Sequence, residues 1–101
     1  MTSDYKIIWT EESIRNLDDI LDDLRKRWTQ KEIDNFKIKL SQQLALIENN
    51  PRLFPVSQVN SRLRKAVLSK QTTLFYEIVN NLIYLVYLFN NKQDITKIND
   101  L

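Results

Sequence analysis

Tyr5, Ile7 and Trp9 alternate with Lys6 and Ile8, a two-residue period that suits a short strand. Directly behind it the period lengthens. Ile14, Leu17, Ile20, Leu21, Leu24 and Trp28 recur at three- and four-residue steps and predict a helix with one apolar stripe, running to about Arg27. Thr10 offers its N-cap, and Glu11 and Glu12 follow where the helix dipole favours negative charge. A second helix is signalled by Thr29-Gln30-Lys31-Glu32, a capping box, and by Ile33, Phe36, Leu40, Leu44 and Ile47, which continue the period. Asn49 and Asn50 tolerate left-handed backbone and Pro51 cannot extend a helix, so the second helix stops there and pairs with the first as an antiparallel hairpin.

The segment from Arg52 to Arg62 contains Pro55 and no sustained period, and reads as a loop. Three runs rich in β-branched and aromatic residues follow: Leu63 to Leu68, Thr73 to Val79 and Leu82 to Phe89. Asn80-Asn81 separates the last two and suits a two-residue type I′ turn, because Asn accepts positive φ. That turn sets a register. Leu74, Tyr76 and Ile78 share one face with Ile83, Leu85 and Tyr87, the expected core. Thr73, Phe75, Glu77 and Val79 share the other with Leu82, Tyr84, Val86 and Leu88. The second face is too apolar to be purely solvated; either a loop or tail of the chain covers it, or a partner does. The expected fold is α+β, order β-α-α-β-β-β, a helical hairpin on one face of a four-stranded, mainly antiparallel sheet.

Residues 1–101 fit one domain, with no Pro/Gly/Ser-rich linker between parts. The 43% hydrophobic and 28% charged residues suit a globular domain with a modest core. No apolar run approaches the roughly 20 residues of a membrane span, and the start lacks a basic segment leading into an apolar one, so a cytoplasmic protein without membrane contact is expected.

The residue types that are missing narrow the chemistry. With Gly at 0, neither a P-loop nor a dinucleotide fingerprint can form, since both need backbone without a Cβ against phosphate. With His and Cys at 0, the usual general base near neutral pH, the Cys nucleophile and all Cys/His zinc sites are gone. The formal charge of +2 is small, so its distribution matters more than its sum. Arg62, Arg64, Lys65 and Lys70 form the densest basic cluster, extended by Lys92; it suits an acidic partner, and it suits equally a basic edge that discourages strand aggregation. Asp18 and Asp22 lie one turn apart, a spacing a hard cation can use, but Asp22 and Asp23 can pair with Lys26 and Arg27, and a solvated face is the preferred reading. Glu77 and Tyr84 are expected as cross-strand neighbours. A carboxylate beside a phenol can serve as base and acid, although a plain polar contact is the commoner outcome. No catalytic residue, metal site or cofactor is assigned.

Nearly the whole chain resembles the RelE/ParE superfamily of type II toxins. The resemblance is carried by Tyr5-Lys6-Ile7-Ile8-Trp9-Thr10, the Ile47-Glu48-Asn49-Asn50-Pro51 helix exit, Leu63-Arg64-Lys65, Thr73-Leu74-Phe75-Tyr76-Glu77-Ile78, the Asn-Asn turn, Ile83-Tyr84-Leu85-Val86 and Asn91-Lys92-Gln93-Asp94. It implies a toxin of a plasmid-stabilisation type, held inactive by an antitoxin whose extended segment wraps it. RelE-like members cut mRNA in the ribosome and ParE-like members poison DNA gyrase. In the RelE-type pattern, arginines stand where this chain has Thr73 and Gln93; one basic position is kept as Arg64, and a neighbouring Lys is replaced by Ala66. The resemblance is therefore closer to ParE, implying a protein that binds a macromolecular target, gyrase first, and is neutralised by an acidic antitoxin. A ribosome-dependent mRNA endonuclease with a degenerate site and an inactive homologue are the alternatives. Contacts with target or antitoxin are expected from Arg62, Arg64, Lys65, Lys70, Phe75, Glu77, Tyr84 and Lys92.

Overall fold

Each change of hydrophobic period becomes a change of element in the computed structural model, which describes residues 4–90. The order is β1 (Lys6–Trp9), α1 (Glu11–Arg27), α2 (Gln30–Asn49), β2 (Arg64–Val67), β3 (Thr72–Val79) and β4 (Leu82–Asn90). Both helix starts use the threonines the sequence offers. Thr10 Oγ1 accepts from the Ser13 amide at 3.1 Å and donates to the Leu85 carbonyl at 2.6 Å, so the cap of α1 also anchors that helix to β4. Thr29 Oγ1 accepts from the Glu32 amide at 3.4 Å. On the solvated face of α1, Asp23 pairs with Arg27 as its spacing suggests, while Asp22 pairs with Arg25, not with Lys26.

The four strands form one sheet in the order β1-β4-β3-β2, with β1 parallel to β4 and the other two pairs antiparallel. The helices cover one face. Ile20 from α1 and Leu40 and Ile47 from α2 meet Ala66, Leu74, Tyr76, Ile83, Leu85 and Leu88 from the sheet in a single cluster. Ile47, Leu74, Tyr76, Ile83 and Leu85 are fully buried, and each apolar side chain removed from water in this way contributes about 1.5–3 kcal/mol. Leu17 belongs to the rim of this cluster, only partly buried.

Three local expectations are corrected. The register runs as expected from Val79↔Leu82 to Tyr76↔Leu85, then shifts: the next pair is Phe75↔Tyr87, leaving Val86 as an extra residue in β4. One inserted residue reverses the side-chain alternation beyond it. Leu88 therefore moves into the core opposite Leu74, and Tyr87 moves to the outer face. The Asn80-Asn81 turn has positive φ at Asn80 alone (56°), so it is not the doubly left-handed type I′ form. Asn50, which ends α2, has φ −151° and ψ 73° and is not left-handed; its amide still closes on the Leu46 carbonyl at 2.9 Å.

Candidate functional site

The β2–β3 ladder sets Arg64 opposite Tyr76 at the edge where the chain leaves α2. The Tyr76 hydroxyl donates to the Pro51 carbonyl at 2.6 Å, and Arg64 Nη1 donates to the Phe54 carbonyl at 2.6 Å, with a longer approach to the Arg52 carbonyl at 3.4 Å. A buried phenol needs such a partner, and carbonyls just beyond a helix end need donors. Burial pushes the Tyr76 phenol up to about 12, opposed by the nearby Arg64 charge. The Phe54 ring stands edge-on to Tyr76, with centroids 6.4 Å apart.

Tied down at Phe54, the following segment lies along β2. The Lys65 amide donates to the Pro55 carbonyl at 2.9 Å and the Ser57 amide to the Leu63 carbonyl at 2.7 Å, bracketing a bridge between Val56 and Arg64. What reads in sequence as a plain loop therefore carries one isolated β-bridge to β2. Ser57 Oγ accepts from the Val59 and Asn60 amides and turns the chain back towards Arg62.

This loop brings Val59 and Leu63 onto the outer sheet face. There Leu63, Phe75 and Phe89 form a second cluster, with Val59, Val86 and Tyr87 against it. The Phe75 and Phe89 rings meet edge-to-face, centroids 6.3 Å apart. Part of the apolar outer face is thus covered by the chain itself. Between the Phe54–Val59 segment and β2 an open groove of about 600 Å³ remains, lined by that segment with Lys65, Val67 and Phe75. Its rim is apolar and exposed: Val56 keeps 46% and Val67 58% of its surface in water.

The residues expected to contact a partner do not form one patch. Lys65 is exposed on the outer face, whereas Arg64, its neighbour on an alternating strand, points to the helix side and holds the α2 exit. Arg62 is exposed in the loop. Lys70 lies in the turn between β2 and β3, where it lines a separate hollow of about 430 Å³ with Trp28 and Phe36 of the helical hairpin. Phe75 is 2% exposed and packs in the second cluster, with its side chain forming part of the groove wall. Glu77 and Tyr84 do face each other, half-buried near the Asn80-Asn81 turn. Lys92 lies outside the described residues. At the position of the nuclease-pattern arginine, Thr73 is 5% exposed and sits opposite Phe89; Gln93 also lies outside the described residues. Among the described residues no cluster of three or more carboxylate side chains could hold a metal ion. The sequence reading missed the Arg64–Tyr76 clasp and the short pairing of Pro55–Ser57. The detectable signal was a tyrosine on a core face, which demands an acceptor.

Residues 7–95 match the family described as the ParE toxin of type II toxin–antitoxin systems, parDE. Among solved structures, the toxin fold recurs in a chromosomal ParDE system from P. aeruginosa, 13% identical, with a TM-score of 0.72 over 85% of this chain and 95% of that one. A chain of the E. coli DinJ–YafQ toxin–antitoxin complex is 14% identical, with a TM-score of 0.58 over 88% of this chain and 94% of that one. YafQ from E. coli strain BL21(DE3) is 15% identical, with a TM-score of 0.58 over 87% and 94%. At these identities the structural likeness establishes the fold. No curated protein matches the chain.

Proposed function

We propose that this chain, which belongs to the ParE toxin family of type II toxin–antitoxin systems, acts by binding DNA gyrase and that a cognate acidic antitoxin neutralises it. The observation that carries the binding reading over RNA cleavage is the state of the two positions where a cation would act on phosphate. Thr73 is a buried neutral side chain against Phe89, and the Arg64 guanidinium is engaged by the Phe54 carbonyl. Cleavage of RNA needs a base, an acid and positive charge on the phosphate, and each missing element costs about a factor of 10² or more. Binding needs only a surface. The solved relatives include a ParDE system and a toxin–antitoxin complex, which supports an antitoxin as partner here.

The test is expression of the chain alone and together with the product of a neighbouring reading frame encoding a short acidic protein, scored by growth. The expected result is arrest alone and rescue in the pair. Growth unaffected by the chain alone, at confirmed expression, would favour an inactive homologue.

A further inference from the structure

We propose that residues 91–101 dock in the hollow between the tip of the helical hairpin and the β2–β3 turn, setting Ile95 and Ile98 against Trp28 and Phe36. The inference goes beyond the toxin reading and does not depend on which target the chain binds. Three observations carry it.

The first is an apolar surface that the fold holds open. The hollow, of about 430 Å³, is walled by Ile20, Leu24, Trp28 and Phe36. Ile20 is buried and Leu24 and Phe36 are half-buried, but Trp28 keeps 43% of its surface in water. Its backbone has no slack. The Trp28 amide closes α1 on the Leu24 carbonyl at 2.7 Å, and the next residue, Thr29, is the N-cap of α2. Two helix ends therefore fix the position from which the indole projects. A large ring held at the mouth of a hollow gains burial at small cost in backbone entropy when a cover arrives.

The second is where the chain goes. Asn90, at the end of β4, lines the same hollow, so residue 91 starts at its rim. Ile95 is five residues further on, and an extended chain rises about 3.3 Å per residue, which lets it span a hollow of this volume. The apolar residues of 91–101 are Ile95, Ile98 and Leu101, three apart, and every residue between them is polar. That spacing gives the segment one apolar side to lay against the wall and polar groups for the water.

The third is charge. Among the described residues, the ionisable side chains of the lining are Asp23, Glu32, Lys39 and Lys70, two of each sign. A balanced rim has little attraction for the phosphates of a nucleic acid or for a strongly acidic peptide. Residues 91–101 are balanced in the same way, with Lys92 and Lys97 against Asp94 and Asp100. Asp94 precedes Ile95 and Lys97 precedes Ile98, so each apolar anchor brings a charge that meets its opposite on the rim.

The experiment uses the full chain, labelled at Ile methyls and aromatic rings for NMR. The expected result is a set of nuclear Overhauser contacts from the Ile95 and Ile98 methyls to the rings of Trp28 and Phe36, unchanged on dilution. These contacts should be lost, and the Trp28 ring signals shifted, when Ile95→Asp and Ile98→Asp are combined. Thr96→Asp, which places the same charge between the two anchors, should leave both readouts as they are. Amide exchange in β3 and β4 reports whether the sheet is intact in each variant, and the contacts are read first in the unaltered chain, so the outcome does not hang on how the variants fold. Absence of the contacts in the unaltered chain would overturn the proposal. So would equal loss in Thr96→Asp, or contacts that appear only between labelled and unlabelled molecules in a mixed sample, which would give the hollow to a second copy.

Discussion

Arg64 and Tyr76 face each other across the β2–β3 ladder and donate to carbonyls of the same short segment, Arg64 to Phe54 and Tyr76 to Pro51, both at 2.6 Å. The pair fixes where the chain goes after α2, and with it the 55–57 segment that shapes the groove. Tyr76→Phe removes one hydroxyl from a fully buried site and leaves the Pro51 carbonyl without that donor. A loss of about 1–3 kcal/mol is expected in urea unfolding. A loss below about 0.3 kcal/mol would show that water replaces the bond at no cost.

The two donors act on one segment, so their effects should not add. A double-mutant cycle of Arg64→Ala and Tyr76→Phe is expected to give a coupling energy of about 0.5–3 kcal/mol. Additive losses would mean that Pro51 and Phe54 are held independently.

The raised phenol of Tyr76 makes a signed prediction about pH. Well below pH 10 it is protonated in both folded and unfolded chains, and its contribution to stability does not vary with pH. Above pH 10 the unfolded chain releases its proton while the folded chain keeps it up to about 12, so the unfolded state binds fewer protons and stability falls across that window. Other groups titrate there too, so the quantity to measure is the difference in unfolding free energy between the parent and Tyr76→Phe. It should shrink from pH 9 to pH 11.5. A difference that stays constant would show that Tyr76 ionises as in water.

Leu85 is fully buried in the core, between the β1 and β3 pairings, whereas Leu17 is only partly buried on α1. Leu85→Ala should cost about 2–5 kcal/mol, and Leu17→Ala clearly less. Equal losses would contradict this placement of the core.

How much of this could be read in advance depended on how sharply each residue type constrains the backbone. Thr10, Thr29 and Pro51 marked helix ends because each does something local that few other residues can do. The Asn80-Asn81 turn set the hairpin register near itself for the same reason. The extra residue at Val86 was hidden: Leu85 to Phe89 is apolar at every position, so a change of face leaves no break in the pattern. The site was harder still. Lys65 and Arg64 are adjacent basic residues in sequence, but strand alternation sends one to the outer face and one to the α2 exit, and only the tertiary position of Phe54 shows what Arg64 holds. Pro55 read as a breaker, and it is one, but it stops an edge pairing that the sequence alone did not reveal.

Whether this toxin binds its target or cuts RNA is decided by two assays on one purified preparation: inhibition of gyrase supercoiling, and ribosome-dependent cleavage of mRNA, each repeated with a folded Arg64→Ala variant. Inhibition of supercoiling and intact mRNA are expected. Cleavage by the parent that is lost in Arg64→Ala would contradict the binding reading, because the guanidinium assigned to the Phe54 carbonyl would then be serving the phosphate.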